Sequence, residues 1–168
     1  GDYKNHLMVY DDELRRRDML NQSLQSELGR ALEEHALEVY YQPKYDIRSE
    51  TPRLSSAEAL VRWQHPVRGL LPPNAFISVA EESGLILPLG NLVLRAACEQ
   101  ARQWMLEGPV ALRVAVNMSV QQLRQPHFAN EVAEILRTTQ LPANLLELEL
   151  TESMLLEQSD TVAENLTA

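Results

Sequence analysis

The sequence predicts an α/β protein: a largely parallel sheet covered by helices. Three observations carry that prediction. Short apolar runs of strand length alternate with amphipathic helical runs from residue 53 onward, in the order β-α-α-β-α-β-α. Two of the later strand runs, Val110–Met118 and Leu145–Thr151, are rich in Val and Leu. The first of these is apolar enough to be covered on both faces. No strand is followed by a glycine-rich turn, so a dinucleotide-binding sheet lacks its usual support, and the choice lies between an open doubly wound sheet and a closed barrel.

The elements follow in order. Residues 1–21 are charge-dense, with Tyr10-Asp11-Asp12-Glu13 followed by Arg15-Arg16-Arg17-Asp18, and read as a linker entering a helix. Helical spacing becomes regular from about Asn21 to His35, where Leu24, Leu28, Ala31 and Leu32 recur at steps of three and four. At Leu37 the period changes to that of a strand, which Pro43 is expected to end. Arg53–Trp63 is a second strand, and the turn-forming residues between the two make an antiparallel pair plausible. Asn74–Ser83 reads as a short helix stopped by Gly84. Leu89, Leu92, Val93, Ala96, Ala97, Gln100, Ala101 and Trp104 form one stripe of a longer helix closed by Gly108-Pro109. A helix over Gln121–Thr139 is interrupted at Pro126, and a last one occupies Gln158–Thr167.

Composition narrows the function. The 168 residues are 45% hydrophobic and 23% charged, ordinary values for a folded domain. No apolar run approaches the ~18 residues of a membrane span, and no charged-then-apolar leader opens the sequence, which predicts a cytoplasmic segment. The single cysteine, Cys98, excludes an internal disulfide and a cysteine-rich zinc site, and with no cation beside it the thiol is expected to be inert. Twenty-four acids against fifteen bases give a net charge of −9, which opposes bulk nucleic-acid binding. A small phosphorylated ligand stays compatible with that charge if metal ions mediate.

The informative residues are polar ones in strands. Alternation in Ser56–Trp63 puts Glu58, Leu60 and Arg62 on one face. A carboxylate and a guanidinium on a central strand must be paired or ligated; a structural salt bridge and a ligand site explain them equally well. Asn117 ends one strand, where ligand groups gather in parallel α/β folds, although an Asn leading into the next helix is as common. Glu147, Glu149 and Thr151 share a face of the next strand and Glu152 falls just past it; a solvated edge strand accounts for the same pattern. Together, two carboxylates and an amide oxygen from three strands suit a hard cation such as Mg²⁺ or Mn²⁺. Arg62 beside them would offer its fork to a phosphate oxygen.

These residues carry a family resemblance. Glu58-Ala59-Leu60-Val61-Arg62-Trp63 resembles the signature of the EAL domain family, bacterial phosphodiesterases that hydrolyse cyclic di-GMP. Tyr41-Gln42-Pro43, His65-Pro66, Gly69 to Pro72, Phe76-Ile77, Ala80-Glu81, Gly84, Asn117-Met118-Ser119 and Glu149-Leu150-Thr151-Glu152 follow the same pattern in order. The resemblance assigns residues 22–168 to an EAL domain truncated at its C-terminal side, and residues 1–21 to the linker that joins an upstream GGDEF or other sensor domain. It implies a TIM-type (β/α) barrel with an antiparallel first strand, about half of it present. It implies metal ligation by Glu58, Asn117 and Glu149, with two Mg²⁺ or Mn²⁺ ions in the complete domain and Glu152 steadying the loop beyond. Gln42, Leu60, Arg62 and Pro72 are then expected to bind the dinucleotide. The paired aspartates, a lysine and later glutamates of the family fall beyond Ala168, so this chain alone is expected to be inactive. An inactive EAL module, acting as a cyclic di-GMP receptor or protein-interaction domain, is the alternative.

Assembly is the last expectation. Val110, Leu112, Val114 and Val116, with Leu146, Leu148 and Leu150, exceed what three or four helices can cover on both faces of a half barrel. Each such side chain left wet forfeits roughly 1.5–3 kcal/mol. A homodimer or swapped assembly, or else a poorly folded chain, is therefore expected.

Overall fold

Period-two alternation in Arg53–His65 sets the architecture. Ala57, Ala59, Val61, Trp63 and His65 are buried on one face, whereas Glu58, Leu60 and Arg62 are half-buried on the other. In the computed structural model, which describes residues 3–48, 50–108, 111–150 and 160–167, this segment is the hub of one mixed sheet. We label the strands β1 (Leu37–Asp46), β2 (Arg53–His65), β3 (Gly69–Leu71), β4 (Arg113–Asn117) and β5 (Leu146–Glu149). Their order is β1-β2-β4-β5, with β3 pairing to β2 off that path. β1 runs antiparallel to β2, and β2, β4 and β5 are parallel to one another. The hairpin-like start followed by parallel strands is the order expected of the sequence.

Helices cover one face. The helices are α1 (Tyr3–Glu33), α2 (Ile77–Ser83), α3 (Ile86–Glu107), α4 (Val120–Leu123), α5 (Phe128–Thr139) and α6 (Asp160–Thr167). The predicted stripe of α3 supplies Leu89, Val93, Ala97 and Ala101 to the core, opposite Val114 and Val116 of β4. Trp63 is 1% exposed and meets Phe76 edge to face, with ring centroids 5.7 Å apart. Tyr41 crosses from β1 to α3: its ring stands edge-on to Trp104 at 4.9 Å and its hydroxyl donates to the Ala96 carbonyl at 3.2 Å. Burial pushes the Tyr41 phenol up to about 12 and the Cys98 thiol up to about 11, which leaves that thiol protonated and inert.

Several boundaries differ from the sequence expectation. α1 begins at Tyr3 and runs unbroken to Glu33, through the stretch read as a linker. Its packing residues, Leu24, Leu28 and Ala31, nevertheless lie in the second half, while Met19 and Leu20 are exposed. Charged i,i+4 spacing sustains helix without a core partner. Pro43 does not end β1, which continues to Asp46 with Pro43 opposite Ala57. β1 lies at one end of the strand order, and an edge strand tolerates a residue without an N–H. β3 had no sequence signal: it is three residues long and closes a tight hairpin on β2 through Gly69, whose φ of 70° favours glycine. β4 and β5 are shorter than the apolar runs that contain them.

Of the apolar side chains expected to go uncovered, five pack on the core, Leu112 is half-buried and Val110 lies outside the described residues. Val114 and Val116 are 0% and 1% exposed, because alternation turns them toward α3 and its neighbours. Leu146, Leu148 and Leu150 are partly buried against the same core. The uncovered face instead carries Glu58, Arg62, Arg113, Asn117, Glu147 and Glu149, as register with β2 requires.

α1 is tied to the sheet by a polar contact. His65 is 5% exposed; its Nδ1 accepts the N–H groups of Val67 and Arg68 at 3.1 Å each, and its Nε2 pairs with the Glu27 carboxylate of α1. The Ser23 hydroxyl, and after it His65, hold the Glu27 carboxyl below its ordinary value.

Gly90 explains how α4 is placed. A Cβ at Gly90 of α3 would lie 2.0 Å from Nε2 of Gln122. The Gln122 side chain is buried there, and it closes a reciprocal cap with Ser119, the second residue after Asn117. Helix propensity alone predicts that Gly90→Ala stabilises by about 1 kcal/mol. The collision predicts the opposite: Gln122 is expelled, the cap is lost at a cost of about 0.5–2 kcal/mol, and the urea midpoint falls rather than rises.

Candidate functional site

Strand register brings the three proposed ligands together from distant parts of the chain. Glu58 lies opposite Ala115 in β4, and Asn117, two residues on, lies opposite Glu149 at the end of β5. Residues two apart share a face, so Glu58, Asn117 and Glu149 all lie on the uncovered side, toward the carboxyl ends of the parallel strands. The Asn117 amide Nδ2 donates to Glu58 Oε1 at 2.7 Å.

The centre of the cluster is a residue that sequence reasoning missed. Lys44 of β1 extends its ammonium to Glu58 Oε2 at 3.2 Å and to Glu149 Oε1. Lys44 is opposite Ser56, so its side chain leaves β1 on the face that carries Glu58. A register shift between Lys44 and Tyr45 re-aims the strand at this point, and the Ser55 hydroxyl donates to the Lys44 carbonyl at 3.0 Å. No sequence signal marked Lys44, because a lysine after Pro43 on an edge strand reads as a solvated charge.

The electrostatics follow from these contacts. The amide N–H of Asn117 and then the Lys44 ammonium hold the Glu58 carboxyl below its usual range, against the opposing cost of partial burial. The Glu149 carboxylate, with Glu58 adding to it, raises Lys44 above an ordinary lysine. Glu58 therefore takes its charge partner from β1, and not from Arg62 as the salt-bridge reading had it. Two carboxylates meet on one ammonium, and the Asn117 amide bonds one of them. Those hard oxygens, from Glu58, Glu149 and the Asn117 amide, could hold a divalent ion. Among the described residues no group of three His, Cys, Asp or Glu side chains gathers for a metal.

The other expected residues surround this centre unevenly. Gln42 is exposed directly opposite Glu58 in the β1–β2 register. Arg62, two positions beyond Leu60, rests its guanidinium 5.8 Å from the centre of the Tyr40 ring, and its Nη1 donates to the Val61 carbonyl at 2.9 Å. Leu60 and Asn117 line a cavity of roughly 210 Å³ together with Pro73, Glu81, Gly90 and Gln122. Pro72 is exposed at the entry to the 3₁₀ turn Pro73–Ala75, where its carbonyl accepts the Ala75 N–H at 3.0 Å. Thr151 and Glu152 lie outside the described residues. A larger hollow of roughly 960 Å³, walled by Tyr41, Pro43, Leu54, Trp104 and Leu112, shares no residue with the cluster.

Known proteins are similar to this chain in sequence and in fold. The EAL domain family model matches residues 25–168. Over 157 residues the chain is 40% identical to the cyclic di-GMP phosphodiesterase PdeR of Escherichia coli (strain K12), a match covering 94% of this chain and 23% of PdeR. It is 38% identical over 157 residues to the cyclic di-GMP phosphodiesterase NbdA of Pseudomonas aeruginosa, covering 94% of this chain and 20% of NbdA. The solved PaMucR phosphodiesterase in complex with c-di-GMP is similar with a TM-score of 0.80 at 35% identity, over 86% of this chain and 58% of that one. The chain thus spans about a fifth of the length of these curated relatives. With its Glu58-Ala59-Leu60 on the central strand and the family match running through most of its length, the chain belongs to the EAL domain family.

Proposed function

We propose that this chain supplies the first metal-binding half of a phosphodiesterase site that opens cyclic di-GMP to linear pGpG. The observation that carries the reading is the cluster of Glu58, Asn117 and Glu149, in which the two carboxylates share the Lys44 ammonium and the amide bonds Glu58. The 35% identical fold of a phosphodiesterase solved with c-di-GMP supports it, as do the two relatives named for that activity. Glu58, Glu149 and the Asn117 oxygen would hold Mg²⁺ or Mn²⁺. When bound, one or two such ions lower the pKa of a water and offset the charge that develops on the phosphate.

The chain's own residues then bind and orient. Arg62 sits on the same face, two residues beyond Leu60, and its planar fork suits a phosphate oxygen; Tyr40 steadies the guanidinium from beneath. Gln42, Leu60 and Pro72 are the proposed wall for the guanine and ribose parts. The 210 Å³ cavity is smaller than the ~300–1,000 Å³ of ordinary ligand pockets, so the dinucleotide lies along the open face rather than inside the cavity. Glu152 is proposed to steady the loop beyond β5. An upstream GGDEF or sensor domain would connect through α1, and a cytoplasmic setting suits a nucleotide second messenger. Among the described residues no helix is long and apolar enough to cross a membrane.

The test uses the longest native chain that contains this sequence. Glu58→Ala is expected to lower pGpG formation more than about 100-fold in Mg²⁺ or Mn²⁺, beyond the loss typical of a residue that only supports a ligand. Arg62→Ala is expected to act mainly on KM, losing one charge-assisted contact of about 1.5–3 kcal/mol. Chromatography of the product decides both. Turnover retained in Glu58→Ala would remove the site assignment, and tight cyclic di-GMP binding without turnover in the unaltered protein would favour a receptor.

Pairing with a second copy is proposed through β5, which ends the strand order among the described residues. Light scattering is expected to give a concentration-dependent dimer. A monomer at every concentration tested would exclude it.

A further inference from the structure

We propose that Lys44 is a built-in counter-ion that holds Glu58 and Glu149 together until a divalent metal displaces it, and that Lys44 thereby sets the site's metal affinity. The inference rests on the metal-site reading above. Two carboxylates brought together on one concave face repel each other, and one of them is driven toward protonation unless a cation intervenes. The Lys44 ammonium supplies that cation, reaching both Glu58 and Glu149. It uses the same two carboxylates that a metal requires. A divalent ion and an ammonium cannot share those oxygens without strong mutual repulsion, so ligation and the Lys44 contact exclude each other.

Two further features make Lys44 a displaceable plug. Its backbone is fixed: the strand irregularity after Lys44 and the Ser55 hydroxyl on its carbonyl aim the side chain into the cluster. Its head is free to leave: the side chain is 37% exposed, and a four-carbon stem swings out into water with little obstruction. The Asn117 amide donates to Oε1 of Glu58 whereas Lys44 meets Oε2, so departure of the ammonium leaves that hydrogen bond in place. Lys44 thus holds the site in shape without metal and opposes metal binding, and both effects come from one positive charge.

The experiment compares the unaltered protein, Lys44→Met and Lys44→Arg by Mn²⁺ titration, read by electron paramagnetic resonance, and by thermal melting in EDTA and in Mn²⁺. Methionine keeps the apolar stem and removes the charge. Lys44→Met is expected to bind Mn²⁺ about tenfold tighter, to melt lower than the unaltered protein in EDTA, and to gain more from Mn²⁺. Lys44→Arg, which keeps the charge, is expected to bind Mn²⁺ no tighter than the unaltered protein. Mn²⁺ binding by the unaltered protein with no tightening in Lys44→Met overturns the inference and leaves the metal site standing. Absence of saturable Mn²⁺ binding in all three proteins overturns the metal site and the inference with it. A Lys44→Met protein that fails to fold in EDTA but folds in Mn²⁺ supports the proposal.

Discussion

The alternation of β2 is the constraint on which the other features depend. Because β2 pairs with β1, β3 and β4, its two faces become the two faces of the sheet. Ala57, Ala59, Val61 and Trp63 commit one face to the helices; Glu58, Leu60 and Arg62 commit the other to polar contacts. A register slip of one residue would bury Glu58 and Arg62 against α3 and expose Trp63, at a cost far beyond a domain's usual margin of ~5–15 kcal/mol. The same alternation, transmitted through parallel register to β4 and β5, puts Asn117 and Glu149 beside Glu58.

Curvature does what register cannot. β1 and β5 are the ends of a four-strand path, and in a flat sheet three intervals would separate them by about 14 Å. Side chains that stand roughly perpendicular to such a sheet do not meet across that gap. Lys44 of β1 nevertheless reaches Glu149 of β5, so the uncovered face is concave and its end strands tilt toward each other. That is the bend a barrel wall requires. It is produced by strand twist and by the irregularity at Lys44, on the strand where the curvature must begin.

This explains which features were legible in the sequence. Glu58, Asn117 and Glu149 could be grouped because each is a polar residue at a strand position where an apolar one is expected, and because parallel strands align their carboxyl ends. The stripe of α3 and the stop at Gly84 were legible because helix period and left-handed caps are local properties. Lys44 was not legible, since its role depends on how far the sheet bends. The same holds for Gly90, whose meaning lies in Gln122 on another helix. Pro43 misled for a related reason: a proline ends a central strand but not an edge strand, and edge position is a property of the whole sheet. Only the part of the site carried by single-strand pattern and by the family resemblance was visible beforehand.

The face also bears on how a chain of net charge −9 would take the phosphate-bearing ligand proposed for it. Charge is distributed unevenly between the outside and the concave side. Register puts Lys44, Arg62 and Arg113 on that side with Glu38, Glu58, Glu147 and Glu149, so the site is close to neutral while the rest of the chain carries most of the negative charge. Arg113 and Glu147 already approach each other at 3.9 Å, and Lys44 compensates one of the two clustered carboxylates. If Glu58 and Glu149 hold a divalent ion as proposed, the summed charge of these groups would turn from slightly negative to slightly positive. Under the proposed function an anion would be drawn more strongly once the metal is in place.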